Sequence, residues 1–296
     1  MVFRPPVGAS RMSRSSASPL RHVYAFAMSM PIVVWQLAFF VFPLAFLIVI
    51  TFWSVQHFRI TPDATVANWT YMYGRSFFRE AYFRTVLTAA GATVIISAIA
   101  FPCAYAIAFK FRENVKYLAI MLLITPFFTS YLVRAYSWQV ILADAGVINA
   151  LVNALGFESV RMLNTTFGML VGYATLTLPL VTLLQLLGLL FVRRDLVEAA
   201  HNLGCGRLKT VFLVVIPSAK IALIIGALFC FILTFGDFVS PLYLGGGQQM
   251  MLSTVIIDAT KSGQQWPRAA VVAMTMIITL IVIAFTAVGL AYRRKS

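Results

Sequence analysis

Residues 23–58 contain no Asp, Glu, Lys or Arg, and neither do residues 85–109. Wound as a helix at 1.5 Å per residue, 25 residues reach about 37 Å, more than the ~30 Å hydrocarbon core of a bilayer. In lipid the backbone must satisfy its own hydrogen bonds, so such runs are helices. The composition agrees: 61% of the 296 residues are hydrophobic and 11% charged, where a soluble domain is roughly a quarter charged. An all-α membrane protein is expected. The first run is too long for the ~7–15-residue apolar region of a signal peptide, so an uncleaved first span is predicted over 27–53.

Residues 1–22 carry Arg4, Arg11, Arg14 and Arg21 without an acid and read as a flexible basic tail ahead of a membrane domain covering 23–296. A polar, aromatic outer loop is expected over 56–80. Further spans are predicted at 85–109, with a kink at Pro102, and at 117–138, through Pro126. Residues 144–161 hold a stretch too short to cross and long enough for an interfacial or re-entrant helix. Val147, Ile148, Leu151, Val152 and Leu155 share one face, with Asn149, Asn153 and Gly156 on the other. Covering the membrane edge and docking an external partner are both open for it. The fourth span falls within 162–192 and contains Gly168 and Gly172, a spacing that lets helices approach closely. The fifth is expected at 221–244, interrupted by Gly236, Asp237 and Pro241. An outer loop at 245–267 and a sixth span at 269–292 follow. Fifteen of the 23 basic residues fall in the segments this layout puts inside, so the positive-inside rule predicts six spans with both termini cytoplasmic. That placement of the +14 net charge argues for a bilayer, not nucleic acid, as the neighbour.

The longest polar interruption in the second half is residues 193–217, RRDLVEAAHNLGCGRLKTVFLVVIP. Asp195 as N-cap and Glu198 three residues later form a capping-box pattern. Leu196, Ala199, Ala200 and Leu203 recur at helical spacing as one apolar stripe. Gly204 is placed to end the helix in the left-handed region, and Pro217 breaks the apolar segment that follows. A helix-turn-helix between the fourth and fifth spans is predicted.

Glu198-Ala199-Ala200, Gly204 and, further on, Val214, Ile216 and Pro217 keep the spacing of the EAA loop, and the segment resembles that of ATP-binding-cassette importer permeases. Residues 126–142, PFFTSYLVRAYSWQVIL, and 236–246, GDFVSPLYLGG, are similar to the spermidine/putrescine-type members, as is Asn68-Trp-Thr-Tyr in the first outer loop; Leu242 stands where many of those carry an acid. The resemblance implies the importer permease fold with a cytoplasmic coupling helix in 193–217, carrying Asp195, Glu198, Ala199, Ala200, Gly204 and Pro217. It also implies ABC ATPase subunits, a second permease subunit, related or identical, and an extracytoplasmic substrate-binding protein as partners. Polyamines or a related small organic amine are the implied cargo, with an organophosphonate as the alternative. Without the resemblance, a self-contained secondary transporter or channel fits the same spans.

No zinc-protease, paired-cysteine or nucleophile-elbow pattern occurs, and Leu208 stands where a phosphate loop needs Gly before the Lys. No enzyme activity and no cofactor are expected; Cys103, Cys205 and Cys230 and the three histidines are too scattered for a metal site. Two charges fall inside predicted spans, where charge is costly and faces protein or water. On straight helices Asp237 lies ~24 Å and Arg134 ~26 Å from the inner end. They either neutralise each other or line a translocation path with Tyr131, Tyr136, Trp138, Phe238 and Tyr243.

Overall fold

The computed structural model describes residues 19–57, 59–247, 250–261 and 263–292, with side chains from residue 28 onward. Of the basic segment 1–22, residues 1–18 lie outside these, as do Arg293, Arg294 and Lys295. The chain forms two compact units, residues 1–49 and 50–296.

In the first unit, α1 (Pro19–Gln36) and α2 (Phe42–Ile50) are joined through a π-helical turn at Leu37–Val41 into one helical run. Over Met28–Ile50 it is long and apolar enough to cross a membrane, and none of that stretch is buried within the fold.

The second unit opens with a hairpin of β1 (Ser54–Gln56) and β2 (Arg59–Thr61), in which Ser54 faces Thr61 and Val55 faces Ile60. The hairpin and α3 (Ala67–Gly74) occupy the expected outer loop. Buried Asn68 ties α3 back by donating Nδ2–H to the carbonyls of Thr51 (2.9 Å) and Trp53 (2.7 Å). The second long helix, α4 (Ser76–Phe109), starts well before the expected Thr85 and runs unbroken through Pro102. Along it Ala81, Ala89, Ala92, Ala100, Ala104 and Ala108 are buried. This small-residue seam lets α4 pack closely on α8 (Thr166–Leu190) and α12 (Lys220–Gly236), the mutually packed centre of the unit. In lipid such packing rests on close van der Waals contact, which small side chains permit.

Gly168 and Gly172 serve that packing as expected. A Cβ on Gly168 would sit 2.9 Å from the Leu244 carbonyl oxygen, and one on Gly172 would overlap the Ser240 side chain. The partner is the π-helical turn Ser240–Leu244, so the pattern seats the end of the fifth predicted span against the start of α8.

Three expectations need correction, and the open one for residues 144–161 gains detail. The third span is not one helix: α5 (Glu113–Ile124) and a 3-10 turn at Thr125–Phe128 meet α6 (Tyr131–Ile141) at 95°. Thr125, before Pro126, keeps helical geometry, and the chain turns only past the proline, where Thr129 and Ser130 are extended. The 193–217 loop contains α9 (Arg194–Asn202), α10 (Arg207–Thr210) and α11 (Ile216–Ser218), with a π turn at Val211–Val215. Pro217 sits inside α11, and the 77° bend comes after it, between Ser218 and Lys220. The first turn of a helix leaves its N–H groups without helical partners, so a proline there, as Pro217 is in α11, gives up no bond. In α7 (Val147–Ala154) burial follows the two predicted faces only in part, with Ile148 and Val152 half-buried and Asn153 exposed. Val147, Leu151 and Leu155 are exposed, whereas Asn149 is fully buried. Its Nδ2–H groups reach the carbonyls of Ala143 (3.3 Å) and Val160 (3.1 Å), and its Oδ1 accepts from Val160 N (2.9 Å). Lipid or a partner can cover the apolar face, so the helix turns Asn149 inward, where two carbonyls and one N–H match its amide. Lastly, the expected loop 245–267 contains α13 (Leu252–Lys261), buried at its start, ahead of α14 (Trp266–Tyr292).

Among the described residues four helices are thus long and apolar enough to cross a membrane, and the two bent pairs bring the number to six if each is one crossing.

Candidate functional site

Two sites lie at opposite ends of α8, whose 25 residues span about 37 Å. At its C-terminal end is α9. Arg193, not Asp195, occupies the N-cap, and no side chain caps it. Asp195 instead pairs with Arg193, whose Nε donates to Oδ1 at 3.1 Å. The guanidinium beside it holds the Asp195 carboxyl below the usual carboxylate range. A forked, charge-assisted partner two residues away outcompetes a backbone N–H, so the predicted capping box is not made. Glu198 is exposed.

The other end follows expectation. Gly204 has φ +80°. Its N–H donates to the His201 carbonyl at 2.9 Å and that of Cys205 to Ala200 at 3.0 Å, the paired bonds of a Schellman motif. The single apolar stripe divides in two. Val197 packs against a core of Leu189, Val192, Val215 and Ala219, bordered by Ala119, Ile120 and Leu123 of α5, and Ala200 is buried. Leu196, Ala199 and Leu203 face outward, and Leu203 at 85% exposure is joined by Leu208 at 75%. The helix is anchored on one side and presents an apolar ridge on the other.

At the N-terminal end of α8 is the break after α12. Asp237 is buried, and both its oxygens are used: Oδ1 accepts from Val239 N (2.9 Å), Oδ2 from Ser240 N (3.1 Å) and from the Tyr131 hydroxyl (2.7 Å). The carboxylate thereby caps the turn Ser240–Leu244, a geometry read from N-cap chemistry. Ser253 of α13 donates to the Asp237 carbonyl (2.9 Å). Arg134, carried by α6, does not pair with Asp237; the two ion pairs among the described residues are Lys116–Glu113 and Arg193–Asp195. The 95° bend also removes the straight-helix estimate of its height. Arg134 Nη1 donates to the Thr175 carbonyl at 2.9 Å, and its guanidinium lies 5.9 Å from the centre of the Tyr131 ring. Tyr131 therefore bridges the two charges.

The Thr175 carbonyl is free because of Pro179, four residues on in α8, which lacks the N–H that would bind it. Sequence reasoning missed this acceptor, although a proline inside a predicted span marks the carbonyl four residues before it. Arg134, Thr175 and Pro179 line a cleft of 680 Å³ between the α5–α6 bend and α8, with Thr125, Thr129 and Trp138 also on its wall. The other candidates scatter. Tyr136 and Tyr243 form a ring pair at 4.8 Å, Trp138 also packs against the core around Leu142 and Leu244, and Phe238 is exposed. Among the described residues no group of His, Cys, Asp and Glu is arranged to hold a metal.

Relatives are found by sequence and by structure. The spermidine/putrescine transport system permease protein PotB of Haemophilus influenzae is 25% identical over 235 residues, 78% of this chain and 82% of that protein. The inner membrane ABC transporter permease protein YdcU of Escherichia coli K12 is 27% identical over 242 residues, 76% of each chain. Among solved structures, a bacterial ABC transporter involved in the import of the acidic polysaccharide alginate matches with TM-score 0.72 and 16% identity, covering 94% of this chain and 98% of that one. A bacterial alginate ABC transporter in complex with an alginate pentasaccharide-bound periplasmic protein matches with TM-score 0.71 and 15% identity, covering 90% of this chain and 93% of that one. These structural matches speak to the fold, which is that of importer permeases. The family model for binding-protein-dependent transport system inner membrane components matches residues 96–295, and with well over half of its length so matched the chain belongs to that family, as a multi-pass inner-membrane permease subunit of an ABC importer.

Proposed function

We propose that the chain forms half of the translocation path of a binding-protein-dependent importer for polyamines or a related small organic amine. The observation that carries the coupling part is the placement of an anchored, apolar-ridged helix at one end of α8 and a polar helix break at the other. ATPase subunits take the α9 ridge, a second permease subunit completes the path, and an extracytoplasmic binding protein delivers cargo. Nucleotide closure moves α9, and the core it shares with α5 carries that motion toward the α5–α6 bend as a shift between two populations. The PotB relatives support an amine cargo. Tyr131, held by Asp237, supplies an aromatic face of the kind that attracts ammonium groups.

The complete importer, reconstituted in proteoliposomes, is expected to take up spermidine only with ATP and binding protein together. Uptake by the chain alone on an ion gradient would make it a secondary carrier. ATP-dependent uptake of an organophosphonate in place of spermidine would keep the importer and replace the cargo.

The same reading puts α9 in the cytoplasm. In a background without Cys103, Cys205 and Cys230, a cysteine at exposed Ser159 should react with an impermeant thiol reagent applied from outside. One at exposed Lys209 should react only after the membrane is opened. External labelling at 209 inverts the orientation and removes the ATPase contact.

A further inference from the structure

We propose that the cleft between the α5–α6 bend and α8 is an alkylammonium site, and that in the resting chain Arg134 itself occupies it as a tethered stand-in for the cargo. The inference deepens the amine-importer reading and rests on it. Its basis is an acceptor set already arranged for a cation. Pro179 leaves the Thr175 carbonyl without a helical partner, and the Arg134 guanidinium takes it at 2.9 Å. The same guanidinium lies 5.9 Å from the centre of the Tyr131 ring beside the cleft, and both guanidinium and ammonium groups are attracted to aromatic faces in this way. Three hydroxyls on the cleft wall spend their protons on backbone carbonyls: Thr125 on Met121 (2.9 Å), Thr129 on Pro126 (3.0 Å) and Thr175 on Val171 (2.8 Å). Each hydroxyl oxygen keeps acceptor capacity, which suits a head group with three donors. Leu122, Val133 and Leu178 complete the lining and suit a methylene chain.

The resident cation is imperfectly held, since Arg134 Nε is buried without a hydrogen-bond partner. An incoming ammonium therefore displaces a group that has not used all its donors. When the long arginine side chain withdraws, one cation replaces another and the charge in the cleft is unchanged. This explains how a path in which Asp237, the one buried acid among the described residues, is already committed to capping the helix break can pass an amine without a counter-ion.

The test measures equilibrium binding of radiolabelled spermidine and of n-butylammonium to the purified full chain in lipid nanodiscs. Arg134→Met, which removes every donor while keeping the apolar stem, is expected to bind both probes about tenfold more tightly, the worth of one vacated charge-assisted bond. Pro179→Ala restores the N–H that binds the Thr175 carbonyl. It is expected to weaken binding below wild type alone, and to abolish the gain when combined with Arg134→Met. Unchanged or weaker binding by an Arg134→Met protein that unfolds at the wild-type temperature overturns the proposal. So does a gain that survives Pro179→Ala. Should Arg134→Met fail to fold, undiminished binding by Pro179→Ala alone overturns it. An importer that takes up spermidine while these variants bind it as wild type refutes the site and keeps the amine reading. Tighter n-butylammonium binding in an importer that carries no spermidine keeps the site and replaces the polyamine.

Discussion

Asp237→Ala is expected to destabilise the protein by about 2–3 kcal/mol, taking each of three lost hydrogen bonds at roughly 0.6–1 kcal/mol. The three donors left behind are the N–H groups of Val239 and Ser240 and the Tyr131 hydroxyl. The first two open the turn against which Gly168 and Gly172 pack, so the damage reaches the start of α8. The third frees Tyr131 from its place beside Arg134. Asp237→Asn keeps one acceptor oxygen and the side-chain shape, so its cost should be clearly smaller, under half that of Ala. Thermal unfolding in detergent and the amount of protein in the membrane measure both. Transport and protein level should fall together in the order wild type, Asn, Ala. An Asp237→Ala protein of wild-type stability that has lost transport alone would assign the carboxylate to the cargo and not to the helix break.

The long helices were legible because lipid leaves an apolar, charge-free run few alternatives: α4, α8 and α14 fall where residues 85–109, 162–192 and 269–292 predict them. Their ends were less so, since Ser76–Arg84 carries Arg79, Glu80 and Arg84 yet is helical, and charge near a helix end says little about where the helix begins. The bends escaped because hydropathy has no direction. Pro126 and Pro217 marked trouble, but a 95° turn and a 77° turn follow from what the chain packs against. The same holds for α7, where the periodicity correctly sorted Asn149 from Leu151 and Leu155 but could not say which face is inside a membrane protein. At the candidate sites, the Gly204 helix end was readable because a positive φ selects glycine. The Asp195 cap was not, because a neighbouring Arg193 competes for the carboxylate. Arg134 and Asp237 were singled out by the cost of intramembrane charge, and the choice between ion pair and path was posed too narrowly. Tyr131 and the Thr175 carbonyl give each charge its own partner, a solution visible only once α6 and α8 lie side by side.

Gly204→Val should cut ATP-dependent uptake by the complete importer more than about tenfold with little change in protein level. The reason lies in the backbone. Nothing stands within 4 Å of a Cβ built at this position, so crowding plays no part, but φ is +80°. A left-handed conformation costs an ordinary L-residue roughly 1–2 kcal/mol, and a β-branched one is a genuine outlier there. The least costly escape is to unwind the end of α9, giving up the bonds from Gly204 to His201 and from Cys205 to Ala200. That turns the exposed Leu203 away from Leu196 and Ala199 and breaks up the ridge the ATPase is proposed to grip. The long helices are untouched, since α9 lies outside them and joins the neighbouring core through Val197, so the protein should still insert and fold. Side chains at 204 should rank by their tolerance of positive φ: Asn, which adopts it readily, nearest to wild type, then Ala, then Val. ATPase activity measured on the same preparations should lose its stimulation by loaded binding protein in the same order. If Val at position 204 leaves uptake and stimulation at wild-type levels, the left-handed end of α9 has no part in coupling, and the ridge must reach the ATPase through some other support.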